Sequence, residues 1–530
     1  MSIKVSNIRL GLDEPEDALP AHVTRRLGVK ATDLRRWRIL RKSLDARQHA
    51  ELCFVYSVEV ELPCDEERVV VLRRDREIEL FREEPFTVPP PGERRLEHRP
   101  IVVGSGPAGL FAAWLLAMHG YAPIVLERGK RVRERSRDVR EFEAGGELNP
   151  ESNYLFGEGG AGTFSDGKLT CRSGGPDVQE VLRIIAECKG RPSIVYEHRP
   201  HLGSNRLPAV VKAIRQRLIA AGAEFRFDCR AEDLEIVDGQ IRAVMTSSGR
   251  MPADVVILAA GHSARDVYAM LARRGVAMEA KPFQLGVRIE QPQEQVNRAR
   301  YGRWAGDERL GAADYELVAR GTRDLFTFCM CAGGYVIPSV SEPGYYGTNG
   351  MSYSWHDSPF ANSGLVVTLD PSEFGEGLMA GIELQRRVEQ AAYEIGRGTY
   401  QAPIQWADDF LARRPSSGKL PSSHRRGTVT NDLRGWLPPD VVQSLDEGLP
   451  ILDRRWRGLF LKSATLVGPE SRGSSPIRVV RDPKTFRSPS VAGLYPAGEG
   501  AGYAGGIVSA AMDGLRIAKS VIAEFASLGT

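Results

Sequence analysis

The chain has 530 residues, 42% of them hydrophobic, and its 71 Lys plus Arg nearly cancel 68 Asp plus Glu, leaving a formal net charge of +3. That length suits about three domains of ~150 residues with ample core, and the balanced charge gives no net field to recruit nucleic acid or an anionic membrane. Seven scattered cysteines argue against a disulfide framework, the lack of a CxxC pair leaves no metal site to expect, and no apolar run approaches the ~18 residues of a membrane span.

The N-terminus opens directly into the strand-like Ile3 to Leu10, without the charged-then-apolar pattern of a secretory leader, so a cytoplasmic protein is expected. The pattern continues as helix 15–27, strand 36–44, strand 50–62, helix 65–74 and strand 76–82, the βαββαβ order of a ferredoxin-like α+β domain over residues 1–84. In its long strand Leu52, Phe54, Tyr56, Val58, Val60 and Leu62 share one face, which must pack on helices. The topology and the basic run from Arg35 to Lys42 suggest RNA. Against that, the strand's other face carries Glu51, Glu59 and Glu61, and the aromatic-rich RNA-binding signature is absent. Docking against the neighbouring domain fits better, with a protein partner or electron acceptor as the other role of this unit, and no nucleic acid is expected. Pro85 to Gly92 is a proline-rich connector, giving a linker over 85–95.

Next comes Gly104-Ser-Gly-Pro-Ala-Gly109, between the apolar run Ile101 to Val103 and a small-residue helix. Gly104 permits the turn, Gly106 lets backbone approach a pyrophosphate, and Gly109 lets helix pack on strand, while Pro107 and Ala108 open the helix whose N–H groups face the anion. Eighteen positions after Gly109, a second apolar run ends in Glu127, placed to grip a ribose, with Arg128 beside it. Helix and strand alternate to about 282, as a parallel sheet covered on both faces requires. Asp254 to His262 is a buried strand running into Ala260 and Gly261. From about 283 to 480 the pattern is more β-rich and irregular. Then Leu494 to Ile507 delivers Glu499 into a glycine-dense loop with Gly498, Gly505 and Gly506, and a second helix begins at Ile507. An acid there can accept from ribityl hydroxyls, and the helix dipole can stabilise charge on a reduced flavin ring. No second GxGxxG follows a strand, so a dedicated NAD(P)H domain is not expected and NAD(P)H is left the part of a transient electron donor.

Six segments carry a wider resemblance: Gly157-Glu-Gly-Gly-Ala-Gly-Thr-Phe-Ser-Asp-Gly-Lys168, His201-Leu-Gly-Ser204, Phe328-Cys-Met-Cys-Ala-Gly-Gly334, Asn349-Gly-Met-Ser352, Pro469-Glu-Ser-Arg-Gly-Ser-Ser-Pro476 and Gly498-Glu-Gly-Ala-Gly-Tyr-Ala-Gly-Gly506. With them the chain resembles, over nearly its whole length, the largely uncharacterised FAD-dependent dehydrogenases with a glutathione-reductase-type FAD domain. Ala332 and Gly473 depart from the family pattern. The resemblance implies an α/β fold: a Rossmann-type FAD-binding domain over 96–282, an inserted β-rich substrate or cap domain over 283–480, and a C-terminal return over 481–530. It also implies FAD as cofactor, with Gly160, Gly162, Thr163, Ser165 and Lys168 against the flavin, Ala231 near the adenine and Ala260 and Gly261 beneath the nucleotide.

The chemistry is less legible than the cofactor. Cys329 and Cys331, two apart on one face of a strand, read either as a redox pair or as small core residues. His356 reads as a proton carrier with Asp357, and Arg472, within the polar group Glu470 to Arg478, as a clamp for a substrate carboxylate or a structural ion pair. The reading is an FAD-dependent dehydrogenase or reductase of a small organic substrate, with hydride passing through flavin N5. A flavin monooxygenase and a non-catalytic FAD-fold binding module stay open as alternatives.

Overall fold

The computed structural model describes residues 1–47 and 51–528. The expected first residue of the long N-terminal strand, Ala50, lies outside them. Strands Ser2–Gly11, Arg36–Asp45, Cys53–Glu61 and Ile78–Phe81 form one antiparallel sheet, with the third strand next to the first and the fourth on the first strand's other edge. Helices Leu19–Leu27 and Glu66–Arg73 are the two crossovers. Ile3, Val5, Tyr56, Val58 and Val60 are buried against Leu19, Val23 and Leu27, the face that the alternation marks. The expected helix over 15–27 begins as a 3-10 turn, Glu16–Ala18, and becomes α-helical only at Leu19, with Pro20 in its first turn where no N–H is missed. The basic run is spent in pairs: Arg38 with Glu59 and Glu83, Arg41 with His198, and Lys42 with Glu16. Strand Arg36–Asp45 also docks edge-on, Lys42 exchanging backbone hydrogen bonds of 2.8 Å with Tyr196 and His198.

The proline-rich stretch is pinned rather than free. Phe86 and Val88 pack on the core, and the Gly92 N–H donates to the carbonyl of Ile522 at 2.8 Å. A five-stranded parallel sheet follows, ordered Leu494–Pro496, Val256–Leu258, Ile101–Val103, Ile124–Leu126, Glu224–Arg226. Its alternating residues feed two cores. Val102, Val125, Ile257 and Tyr495 face helices Pro107–Met118, Pro176–Glu187 and Ile507–Glu524, while Ile101, Val103, Leu126, Val256 and Leu258 face a three-stranded meander over 231–252 and helix Arg265–Arg273. Ala231 opens the first meander strand, Ala231–Val237.

The region expected to be β-rich contains a seven-stranded mixed sheet, ordered Val318–Ala319, Leu325–Cys331, Phe360–Leu369, Phe283–Pro292, Thr465–Glu470, Ala402–Trp406, Thr428–Thr430. It also contains two long helices the sequence reading did not mark, Ala380–Ile395 and Pro439–Arg455. The second packs Leu445, Leu449 and Leu452 onto Phe283, Leu285, Val287 and Ile289, so alternation turns Arg288 to the opposite face of the sheet. Among the described residues no helix is long and apolar enough to cross a membrane.

Candidate functional site

Three glycine loops close on one another. A Cβ at Gly109 would lie 1.9 Å from the carbonyl oxygen of Gly104, and one at Gly104, whose φ is +101°, 2.3 Å from that of Ala259, so neither position tolerates a side chain. Gly160 backs onto Gly106, with 3.0 Å between its built Cβ and the Gly106 Cα. Gly498 backs onto Ala108, and Gly162 touches both Pro107 and Ile507 at 3.4 Å. Helices Pro107–Met118 and Ile507–Glu524 therefore start beside the same loop. Both begin at a glycine, Gly106 and Gly506, that offers no side-chain cap, so two sets of N-terminal N–H groups remain to hold a ligand. Cβ atoms built at Gly261, Gly505 and Gly506 would meet no protein atom within 4 Å. The residues present thus fit a dinucleotide: backbone is closed against backbone on one side and open, with helix N-termini, on the other.

Glu127 stands at the end of its strand, but its carboxylate is already served. One oxygen accepts from the Ser105 N–H at 3.0 Å and the Ser105 hydroxyl at 2.5 Å, the other from the N–H groups of Gly129 at 2.9 Å and Gly157 at 3.1 Å. Its first task is to brace the glycine turn against the Gly157 loop. Arg128 forks onto Glu151, pairs with Asp266 and lies over the Phe156 ring. The Gly157 loop is organised by a residue the sequence reading missed. Arg135, fully buried, donates to the carbonyls of Asn153, Tyr154, Gly157, Glu158 and Gly160. Burial lowers its guanidinium to about 10. Within the loop, Thr163 is buried with its hydroxyl on the Glu158 carbonyl, and the Ser165 hydroxyl donates to Gly162.

On the opposite rim, the Gly498 N–H donates to Asp513 at 2.7 Å, Arg481 forks onto the same carboxylate, and the Tyr268 hydroxyl donates to the Gly500 carbonyl. Glu499 keeps 29% of its side chain accessible yet sits deep in the recess. Desolvation raises its carboxyl to about 7, against the lowering effect of the Gly506 N–H and Lys281. His262 lies 3.9 Å away, and burial together with Arg472 and Arg265 lowers it to about 3.

Beyond the 3-10 turn Gly160–Phe164, five segments bring polar side chains together. Ser352 donates to Asp166 at 2.6 Å, His201 Nε2 is 2.9 Å from the Ser352 hydroxyl, and Lys168 Nζ is 3.5 Å from Asp166. His201 stacks on His356 with 4.5 Å between ring centroids, and His356 Nδ1 is 2.7 Å from the Ala332 carbonyl. Burial would raise Asp166, but Lys168, His201 and Ser352 hold it far below the usual carboxylate range. Burial would lower Lys168, but Asp166 and the thiols of Cys331 and Cys329 hold it charged. Burial and His201 keep His356 below its ordinary value. Both His356, at φ +52°, and Cys329, at φ +44°, adopt the left-handed backbone that side chains disfavour, a concentration of strain typical of functional positions.

Three expectations are corrected. Cys329 and Cys331 do not follow simple strand alternation: a bulge falls between Phe328 and Cys331, which pair with Gly364 and Asn362. Asp357 does not join His356, but accepts instead from the exposed Tyr335 hydroxyl. Arg472 is no clamp for substrate, because its fork already holds Glu389 at 3.0 and 2.9 Å, a buried carboxylate also bound by Arg265. The nearby arginine fork of Arg288 is likewise filled, by Glu470 at 2.9 and 3.0 Å.

Family models match along the chain: "FAD-dependent protein, C-terminal domain-like" over residues 282–473, "FAD dependent oxidoreductase" over 200–328, "NAD(P)-binding Rossmann-like domain" over 102–159, and a domain of unknown function over 2–61. An uncharacterized protein of Clostridium beijerinckii is 40% identical over 532 residues, 99% of each chain. Among solved structures, glycine oxidase from Bacillus cereus aligns at 11% identity and a TM-score of 0.32, covering 80% of this chain and 95% of that one. L-proline dehydrogenase from P. horikoshii aligns at 12% and 0.33, covering 81% and 93%. Scores that low carry nothing further about this chain.

Proposed function

Given that the chain belongs to the FAD-dependent oxidoreductase family, we propose that it oxidises or reduces a small organic molecule by hydride transfer, with the substrate held between the flavin and the cluster around His201. Bound FAD supplies the two-electron chemistry through N5. The chain's own part is to orient, exclude water and move a proton. Gly104 to Gly109, Gly160 to Ser165 and Gly498 to Ile507 would hold the cofactor, with Lys168, Ala231, Ala260 and Gly261 at its edges.

The observation that carries the reading is the Asp166, Ser352, His201 chain beside His356 and Lys168. Ser352 has one proton and gives it to ionised Asp166, so His201 Nε2 must donate to the Ser352 oxygen. That fixes the tautomer and leaves His201 Nδ1 to take a proton from substrate. By the same logic His356 Nδ1 donates to the Ala332 carbonyl, leaving Nε2 basic. Lys168 supplies positive charge for an anionic group on the substrate. The protein should accept electrons anaerobically from a panel of small hydride donors, and His201→Gln should slow that reduction by about 100-fold with FAD content unchanged. Oxygen consumption yielding an oxygenated product would replace this reading with a monooxygenase, and failure to be reduced even by dithionite would replace it with a binding module.

A further inference from the structure

The two cysteines of the seven-stranded sheet do something that core packing does not require. The bulge between Phe328 and Cys331 places an extra residue in the strand, and Cys329 takes the left-handed conformation at φ +44°. Such a conformation costs a non-glycine residue about 1–3 kcal/mol and persists only where its surroundings enforce it. Its consequence is that the Cys331 thiol turns back on the preceding residues and donates to the Cys329 carbonyl oxygen at 3.3 Å, which keeps the two cysteines side by side. The surrounding backbone leaves room for sulfur and little else. A Cβ at Gly334 would lie 2.7 Å from the Cys331 Cβ, and one at Gly350 would lie 2.8 Å from its Sγ.

We propose that Cys329 and Cys331 form a redox-active dithiol and disulfide couple, a second two-electron carrier facing the flavin site. The setting suits a thiolate at Cys329. The neighbouring Cys331 thiol, Lys168 and Arg288 favour the charged form against burial, and Asp166 and Glu499 are the carboxylates that oppose them. Cys331, buried and beside that thiolate, is held protonated. Thiolate first and thiol second is the order an exchange reaction needs. On oxidation the Cys331 S–H bond is lost and one S–S bond forms between the Cys329 thiolate sulfur and the Cys331 sulfur. The two electrons and the one proton released are what bound FAD would take up to become the anionic reduced flavin. In the reverse direction the disulfide takes up two electrons and one proton, which returns to Cys331. A small external disulfide does the same work without flavin: Cys329 displaces one thiolate from it, and Cys331 then displaces Cys329's new partner as a second thiolate. A disulfide closing so short a loop is strained, and strained disulfides are the readily reduced, catalytic kind.

The proposal rests on FAD occupying the glycine-lined site, and the test separates the two. Holoprotein is oxidised with diamide, freed of reagent and titrated anaerobically with dithionite. Full bleaching of the flavin after four electrons per FAD is expected, against two for Cys329→Ala. In parallel, denatured diamide-treated protein is alkylated and mapped. The peptide spanning Leu325 to Gly334 should be two hydrogens lighter and unalkylated, and after dithiothreitol should carry two alkyl groups. Complete bleaching at two electrons in the parent, with both thiols still alkylated after diamide, would overturn the couple and leave the flavin reading standing. The peptide measurement needs no variant, so a misfolded substitution cannot mask the answer.

Discussion

Five backbone carbonyls converge on the guanidinium of Arg135, and no other side chain has five donors to meet them. Arg135→Lys should therefore strip FAD from the protein and destabilise it by at least about 3 kcal/mol, since several buried acceptors lose their partners together. Urea unfolding and flavin absorbance are the measurements. Nothing in the sequence marks this arginine out from its neighbours Arg131, Arg133 and Arg137; its role exists only once residues 153–160 fold around it. Glu127 shows the opposite balance. Its position was legible from spacing alone, but its contacts were not, because Gly157 comes from thirty residues further along. Glu127→Ala should weaken FAD binding by about 1.5–3 kcal/mol. The melting temperature of the apoprotein should also fall, which loss of a ribose contact alone would not cause. Glu499 adds a pH signature. Its carboxyl is raised to about 7 in the fold, so between its ordinary value of 4.5 and about 7 the native state binds more protons than the unfolded state, and stability falls as pH rises. Below pH 4.5 both states are protonated and the penalty vanishes. Relative to Glu499→Gln, the parent should lose about 1–3 kcal/mol across that window and no more above it.

At the scale of elements, the site depends on which glycines face protein and which face open space. Gly109→Ala would drive a methyl into the Gly104 carbonyl and should destabilise the apoprotein by about 1–3 kcal/mol as the helix from Pro107 shifts. Gly505→Ala meets nothing in the protein, so apoprotein stability should hold while FAD affinity falls by about tenfold or more, because the methyl would enter the space proposed for the cofactor. Isothermal titration with FAD and thermal melts of the apoproteins distinguish the two. The strands of the N-terminal domain and the first Rossmann strand and helix could be read from the sequence, since alternation and small-residue runs are local signals. The bulge at Cys329 could not, because it is set by pairing with Gly364 and Asn362 from a later strand. The choice left open for Arg472, clamp or ion pair, was hidden for a related reason. Its partner Glu389 lies 83 residues earlier, on helix Ala380–Ile395, where an acid among apolar positions reads as solvent-facing until tertiary packing buries it.

Across the whole molecule, FAD should act as a fastener. A ligand that binds only the native state adds about 2.7 kcal/mol at a hundred times its dissociation constant, so the melting temperature should climb with added FAD and stay flat with added FMN, which cannot fill the adenosine half. The motif segments that were conspicuous in the sequence come together here from distant stretches: Asp166, His201 and Ser352 meet in one hydrogen-bonded chain, a proximity that spacing along the chain does not encode. The same topology governs when the site can exist during synthesis. Pro107 and Ile507 both open helices whose N-termini belong to it, and about 400 residues separate them. At the usual ~5–20 residues per second, a ribosome needs roughly 20–80 seconds to bridge that gap. Until then the first Rossmann helix lacks the helix Ile507–Glu524 that covers it, so over that interval the nascent chain carries an exposed apolar face and an unfinished nucleotide cradle. Cofactor loading in the cell must therefore wait for a helix made long after the glycine turn it completes.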